Sequence, residues 1–176
     1  MAEYGENPFP ENFMSGADGF YREEAMRHLQ EAYEKQMRGE IEPAIALYQK
    51  SLELFPTAEA YTFLGWAYSM QGRYDAAITE CQKAIKVDPD FGNPYNDIGA
   101  YLIEKGKLDE AVDWLEKATQ ARRYESYCYP YYNLGRIWEK KGHWLRAYEA
   151  YQNALKDNPQ YTLAQKALGR IQAMMN

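Results

Sequence analysis

From Tyr61 onward the chain repeats one hydrophobic rhythm. Tyr61, Leu64, Gly65 and Tyr68 fall at i, i+3, i+4 and i+7, the spacing of one face of an α-helix. Gly72 breaks the stripe, and a second stripe follows at Ala77, Cys81 and Ala84 before Pro89. The pattern returns 34 residues later as Tyr95, Ile98, Gly99, Leu102, Gly106, Ala111, Leu115 and Ala118. It returns again after 36 more as Tyr131, Leu134, Gly135, Trp138, Gly142, Ala147, Tyr151, Ala154 and Pro159. A weaker copy lies upstream at Ala32, Gly39, Ala44, Tyr48, Ser51 and Pro56, and Leu168 and Gly169 begin a half copy downstream.

Each copy reads as two amphipathic helices. Gly72, Gly106 and Gly142 suit the left-handed residue that ends a first helix. Pro89 and Pro159 stop the second. Pro94 and Pro130 fit a first helical turn. Gly65, Gly99 and Gly135 sit inside helices, where glycine costs up to about 1 kcal/mol. Their recurrence predicts close approach of a neighbouring helix, with Ala77, Ala111 and Ala147 marking the same contact on the second helix. The predicted helices are 20–38, 41–54, 58–71, 74–87, 92–105, 108–122, 129–141 and 144–157. A last helix, 161–174, carries an apolar face of Leu163, Ala164, Ala167, Leu168 and Ile171. A stack of repeats exposes its final apolar edge, so this helix reads as a cap.

These slots, aromatic-x₂-Leu-Gly-x₂-aromatic, then Ala-x₃-aromatic, then Pro, resemble the tetratricopeptide repeat family over roughly residues 22–174. The resemblance implies an all-α fold, a right-handed α-solenoid of four helix hairpins plus the C-terminal capping helix. The repeats are then 20–56, 57–90, 91–124 and 127–160 within a domain spanning 20–176, preceded by a flexible segment, 1–19. Two departures stand out. Repeat 1 has Glu31 in the Leu slot and Lys35 in the second aromatic slot, so its first helix is expected to be shifted or longer. Repeat 3 has Arg123 in place of the closing Pro, and two extra residues lengthen the connection at 122–127.

The resemblance also implies a concave face lined by the first helix of every repeat. Its slots hold Met26, Leu29, Gln30 and Tyr33, then Glu59, Thr62, Phe63 and Trp66, then Asn93, Asn96, Asp97 and Ala100, and finally Tyr129, Tyr132, Asn133 and Arg136. The candidate partner-binding residues are Tyr33, Phe63, Trp66, Asn93, Asn96, Tyr129, Tyr132, Asn133 and Arg136. Tyr, Trp and Arg are the types enriched at binding hot spots. Tyr33 and Trp66 would anchor apolar side chains of a partner segment. Asn96 and Asn133 would pair with its backbone, and Arg136 would fork a carboxylate. The competing expectation is that several of these rings pack between repeats. Some family members clamp a chaperone's C-terminal carboxylate with Lys and Asn; here those slots hold Leu29 and Tyr33, or Thr62 and Trp66, which disfavours that role.

Composition narrows the function further. The 176 residues suffice for one domain with a sizeable core, and 17 are Tyr, which suits packed helices with aromatic contact surface. The net charge of −6 is uneven: residues 21–120 hold 18 acids and 11 bases, whereas 121–176 hold 4 acids and 9 bases. An acidic body argues against broad nucleic-acid binding, and the basic end suits an acidic partner. No apolar run approaches the roughly 20 residues that span a bilayer, and no signal peptide is visible. The expectation is a cytoplasmic protein with no membrane insertion. Cys81 and Cys128 read as reduced apolar fillers. His28 and His143 have no metal-ligand spacing, and neither a phosphate-cradling glycine loop nor a Gly-x-Ser-x-Gly elbow is present. No catalytic residue, metal or cofactor is therefore expected. The N-terminal segment carries Phe9, Phe13 and Met14 on an acidic background and reads as a loose tail, a groove plug or an oligomer clip. The leading expectation is a non-enzymatic adaptor that holds a peptide segment of a partner protein. The alternatives are a self-assembling homo-oligomeric scaffold and a small secretion-type chaperone.

Overall fold

The computed structural model describes residues 17–175, and residues 1–16 of the expected N-terminal segment, with Phe9, Phe13 and Met14, lie outside the described residues. Among the described residues there are nine α-helices: α1 (Ala17–Met37), α2 (Ile41–Leu54), α3 (Ala58–Met70), α4 (Tyr74–Val87), α5 (Asn93–Glu104), α6 (Leu108–Gln120), α7 (Cys128–Lys140), α8 (Trp144–Asp157) and α9 (Thr162–Met175). They pack in order as the pairs α1–α2, α3–α4, α5–α6 and α7–α8, and each pair leans on the next. The first helices α1, α3, α5 and α7 also touch in succession. The result is an all-α helical repeat solenoid.

Four glycines make the hairpins. Gly39, Gly72, Gly106 and Gly142 have φ of 79°, 72°, 75° and 73°, a region other residues rarely adopt. Each turn carries the same two bonds. Gly72 donates to the Ser69 carbonyl at 2.9 Å and Arg73 to the Tyr68 carbonyl at 3.0 Å, and the other three turns repeat this pattern. These satisfy carbonyls that a helix end leaves open.

The mid-helix glycines mark close approaches. A Cβ on Gly65 would lie 2.9 Å from the Ala77 carbonyl oxygen, one on Gly99 2.5 Å from Leu115, and one on Gly135 2.4 Å from the Tyr151 ring. Ala77, Ala111 and Ala147 are fully buried on the facing helices. Tyr48 lies wholly in the core and gives its hydroxyl to the Gln36 amide oxygen at 2.7 Å, so the buried phenol and the buried amide satisfy one another.

Repeat 1 departs as its sequence announced. α1 begins at Ala17, so residues 17–19 of the expected flexible segment are helical. Leu29, Ala32 and Gln36 face the core, while Glu31 and Lys35 turn away and Lys35 pairs with Glu40 at 2.8 Å. Leu29 and Ala32 stand in the slots of the buried Thr62 and Gly65, so the register is kept and the departure is confined to the polar residues in the Leu and second aromatic slots.

The long connection after α6 is ordered by backbone pairing. Arg123 donates its amide to the Asp90 carbonyl at 2.9 Å and accepts from the Gly92 amide at 3.0 Å. Gly92 is required there, since a Cβ would stand 2.5 Å from Tyr124. The Arg123 guanidinium bonds Glu59 at 2.8 Å and Asp88 at 2.7 Å and lies over the Phe91 ring at 4.0 Å. Arg123, in the slot of the closing Pro, thus staples the end of repeat 3 to repeat 2.

α9 covers the last pair with Ala164, Ala167 and Ile171. Gln165, Lys166, Gly169 and Gln172 face outward, as a cap requires. Leu163, predicted on the apolar face, is half exposed. Cys81 and Cys128 are buried free thiols. No helix among the described residues is long and apolar enough to cross a membrane.

Candidate functional site

The successive first helices α3, α5 and α7 present their side chains to one cavity of about 440 Å³. Its base is a polar chain along the α5–α7 seam. Asn133 donates to the Asn96 side-chain oxygen at 3.1 Å, and Asn96 donates to the Asp97 carboxylate at 3.3 Å. Arg136 donates to the Asn133 side-chain oxygen at 3.2 Å and to the Glu104 carboxylate at 3.0 Å. Asn96, Asp97 and Asn133 are all buried. Ala100, half buried, adds a small side chain to the lining.

Aromatic rings wall the cavity at both ends. Tyr161, in the turn before α9, packs edge-on against Tyr129 and Tyr132 at centroid distances of 5.4 Å and 5.2 Å. At the other end stand Trp66, Met70 and Tyr74, with Tyr74 stacked on Tyr101 at 6.1 Å. Tyr101 is 7% exposed, and its hydroxyl has no hydrogen-bond partner among the described residues. Burial pushes the Tyr101 phenol well above its ordinary range, and the negative charge of Asp97 adds to the effect. Burial likewise raises the Tyr161 phenol.

Of the nine candidate residues, Trp66, Asn96, Tyr129, Tyr132, Asn133 and Arg136 line this cavity. Three do not. Phe63 is 2% exposed, stacked on Tyr48 at 6.1 Å and tilted against Tyr33 at 5.5 Å, so its ring packs with the core. Tyr33 lies between Phe63 and Trp66, its ring 6.5 Å from the indole, and continues the aromatic wall toward α1 outside the cavity. Asn93 is the first residue of α5, half buried and away from the cavity.

Two expected roles change. The side chains of Asn96 and Asn133 bond one another and their neighbours along the seam, which is a structural use of groups assigned to a peptide backbone. Arg136 already grips Glu104 and Asn133. Asp97 and Ala100 came from the slot pattern without being singled out. Glu104, Tyr101 and Tyr161 were missed. Glu104 lies one turn beyond the last slot, Ala100, and Tyr101 is the residue next to it. Tyr161 lies in a turn, where helical spacing assigns no face, although Pro159 just before it signals that turn.

Comparison with known proteins agrees with this architecture. Models described as tetratricopeptide repeat match residues 58–91, 80–113 and 128–161. The small glutamine-rich tetratricopeptide repeat-containing protein 2 of Mycosarcoma maydis is 36% identical over 78 residues, covering 44% of this chain and 22% of that protein. The protein STIP1 homolog of Dictyostelium discoideum is 36% identical over 90 residues, covering 48% of this chain and 16% of that protein. The chain therefore spans under a quarter of the length of either relative. The solved structure of PilF from Pseudomonas aeruginosa superposes with a TM-score of 0.83 at 22% identity, over 89% of this chain and 71% of that one, a likeness of fold.

Proposed function

The chain belongs to the tetratricopeptide repeat family, and on that premise we propose that it is a non-enzymatic protein-interaction module holding a peptide segment of a partner in the cavity between α3, α5 and α7. One observation carries the reading. Six residues drawn from three successive repeats converge on a single 440 Å³ space. Such convergence of rings with a few fixed polar groups is what a ligand site requires. The rings of Trp66, Tyr129 and Tyr132 offer large contact area at low entropic cost. Met70 and Leu163, 44% and 49% exposed at the rim, offer apolar contact to flanking residues of the segment. The polar seam beneath is already satisfied, so the site is preformed and little ordering opposes binding.

The test is position-specific photocrosslinking in lysate of the source organism. A photoreactive residue in place of Met70, on the rim, is expected to capture a protein that the same residue in place of Glu116, on the exposed face of α6, does not. Capture from both positions alike, or from Glu116 alone, would remove the cavity as the partner site.

A further inference from the structure

We infer that the α7–α8 turn is a docking surface for a second copy of this chain, and that it takes the acidic, aromatic N-terminal stretch of that copy, residues 1–21. The contact is head to tail and lies outside the cavity between α3, α5 and α7.

The turn departs from its three counterparts in charge. Residues 37–43 hold one base and two acids, 70–76 one base and one acid, and 104–110 two bases and three acids, whereas 140–146 hold three bases and no acid, with His143 taken as neutral. Lys141 pairs with Asp109, while Lys140 and Arg146 are exposed and Arg146 lies over the Trp138 ring at 4.9 Å. The turn departs in hydrophobicity as well. Ile41, Tyr74 and Leu108 open their helices half buried against the core, but Trp144 in the same slot is exposed. One residue on, Glu42, Asp75 and Asp109 each hold a side chain of the following repeat, from Gln71, Lys105 and Lys141. Leu145 takes that slot in the last repeat and is 61% exposed. An acid favours the first turn of a helix, yet the first turn of α8 holds none. The slot that seats the next repeat is thus apolar and open in repeat 4, with cations on either side of it in the chain.

The other end of the stack carries the complement. Residues 1–21 hold four acids and no base, with Phe9, Phe13 and Met14 among them. Phe20 and Tyr21 on α1 are exposed and pack edge-on at 5.9 Å. Opposite charge steers and orients such a pair of surfaces, and the rings supply contact area. The contact is between copies because Phe13 lies four residues before α1, a reach of about 14 Å. α1 and α7 are three first-helix steps apart, each about 8–10 Å. The tail also leaves the start of α1, whereas the turn closes the end of α7. A tail seated on another copy's turn leaves one turn and one tail open, which is a heterologous contact.

The test is sedimentation velocity of the full chain at several concentrations. The average mass should rise with concentration and fall back as salt is added. Leu145→Asp restores the acid that the other repeats hold at this slot, so the fold is expected to persist. It should weaken self-association about tenfold or more, and so should the double change Phe9→Ser and Phe13→Ser. An equal mixture of the two variants should restore association and stop at a pair, since one brings an intact tail and the other an intact turn. A wild-type chain that sediments as one copy at every concentration overturns the inference. So does a Leu145→Asp chain that assembles like wild type, or a mixture no larger than its components. If the single-copy wild type instead cosediments with phosphatidylglycerol vesicles and Leu145→Asp does not, the turn serves an anionic membrane surface and the inference likewise falls.

Discussion

Tyr151 of α8 donates its hydroxyl to the Glu139 carboxylate of α7 at 2.7 Å, and Tyr48 of α2 makes the same join to Gln36 of α1, also at 2.7 Å. The first and last hairpins are thus locked by one device, with an amide in one and a carboxylate in the other. The carboxylate has a further use. Arg170 of α9 forks onto Glu139 with two bonds of 2.8 Å and fastens the cap to the last repeat.

Glu139 therefore makes the cap sensitive to acid. The Arg170 hydrogen bond comes first among the causes that hold its carboxyl below the ordinary value of 4.5. A carboxyl lowered on folding adds stability above its unfolded value and loses it as pH falls through the folded one. Arg170 is half exposed, so the contribution is of order 1 kcal/mol or less. In thermal melts from neutral pH to about pH 3, Glu139→Gln should melt slightly lower at neutral pH and lose less stability in acid, since the Gln36 pair shows that an amide accepts the tyrosine. Parallel pH curves for the two proteins would reject the coupling.

Arg123 should matter more than an exposed loop residue usually does. Its guanidinium reaches Glu59 on α3, Asp88 after α4 and the Phe91 ring. Arg123→Ala removes that staple and leaves the backbone pairing with Asp90 and Gly92 in place. The expected loss is about 1–2 kcal/mol, a network of exposed charges plus one ring contact. Hydrogen exchange should quicken at the Gly92 and Arg123 amides. Unchanged exchange there would show the backbone bridge to be sufficient alone.

The repeat slots carried most of the architecture, because glycine at a positive φ and glycine under a facing helix each have one physical reason to be where they are. Gly72 and Gly135 could be assigned before any coordinates. The site was only partly legible, because a slot gives the direction of a side chain and not what it meets. Phe63 occupies a groove slot, yet Tyr48 of α2 and Tyr33 of α1 draw its ring into the core. Arg136 was visible as a cation, but the carboxylate that holds it is Glu104, 32 positions upstream on a neighbouring helix. Distances between repeats are not written in periodicity.

The buried tyrosines predict alkaline unfolding. Burial raises Tyr48, Tyr101, Tyr124, Tyr151 and Tyr161 above the ordinary phenol value of 10.0. A group raised on folding contributes stability that is complete below its unfolded value and is lost as pH climbs toward the folded one. Helical circular dichroism should hold up to about pH 10 and then fall cooperatively, together with a late rise in tyrosinate absorbance. Full tyrosinate absorbance in a chain that keeps its helices would show that the buried rings ionise without unfolding.

Gly135 and Gly169 occupy the same repeat slot and should respond oppositely to alanine. At Gly135 the new Cβ meets the Tyr151 ring at 2.4 Å, and that ring is fully buried with its hydroxyl held by Glu139. The ring has nowhere inexpensive to move, and overpacking of this kind costs about 1–3 kcal/mol. Alanine's better helix propensity offsets up to about 1 kcal/mol of that. At Gly169 nothing lies within 4 Å, so propensity acts alone and Gly169→Ala should gain up to about 1 kcal/mol. Melting temperatures should move apart, by about 2–4 °C per kcal/mol. If both alanines stabilise, Tyr151 yields more readily than its hydrogen bond implies. If both destabilise, the outer face of α9 is covered in solution, and sedimentation at several concentrations would show whether a second copy of the chain covers it.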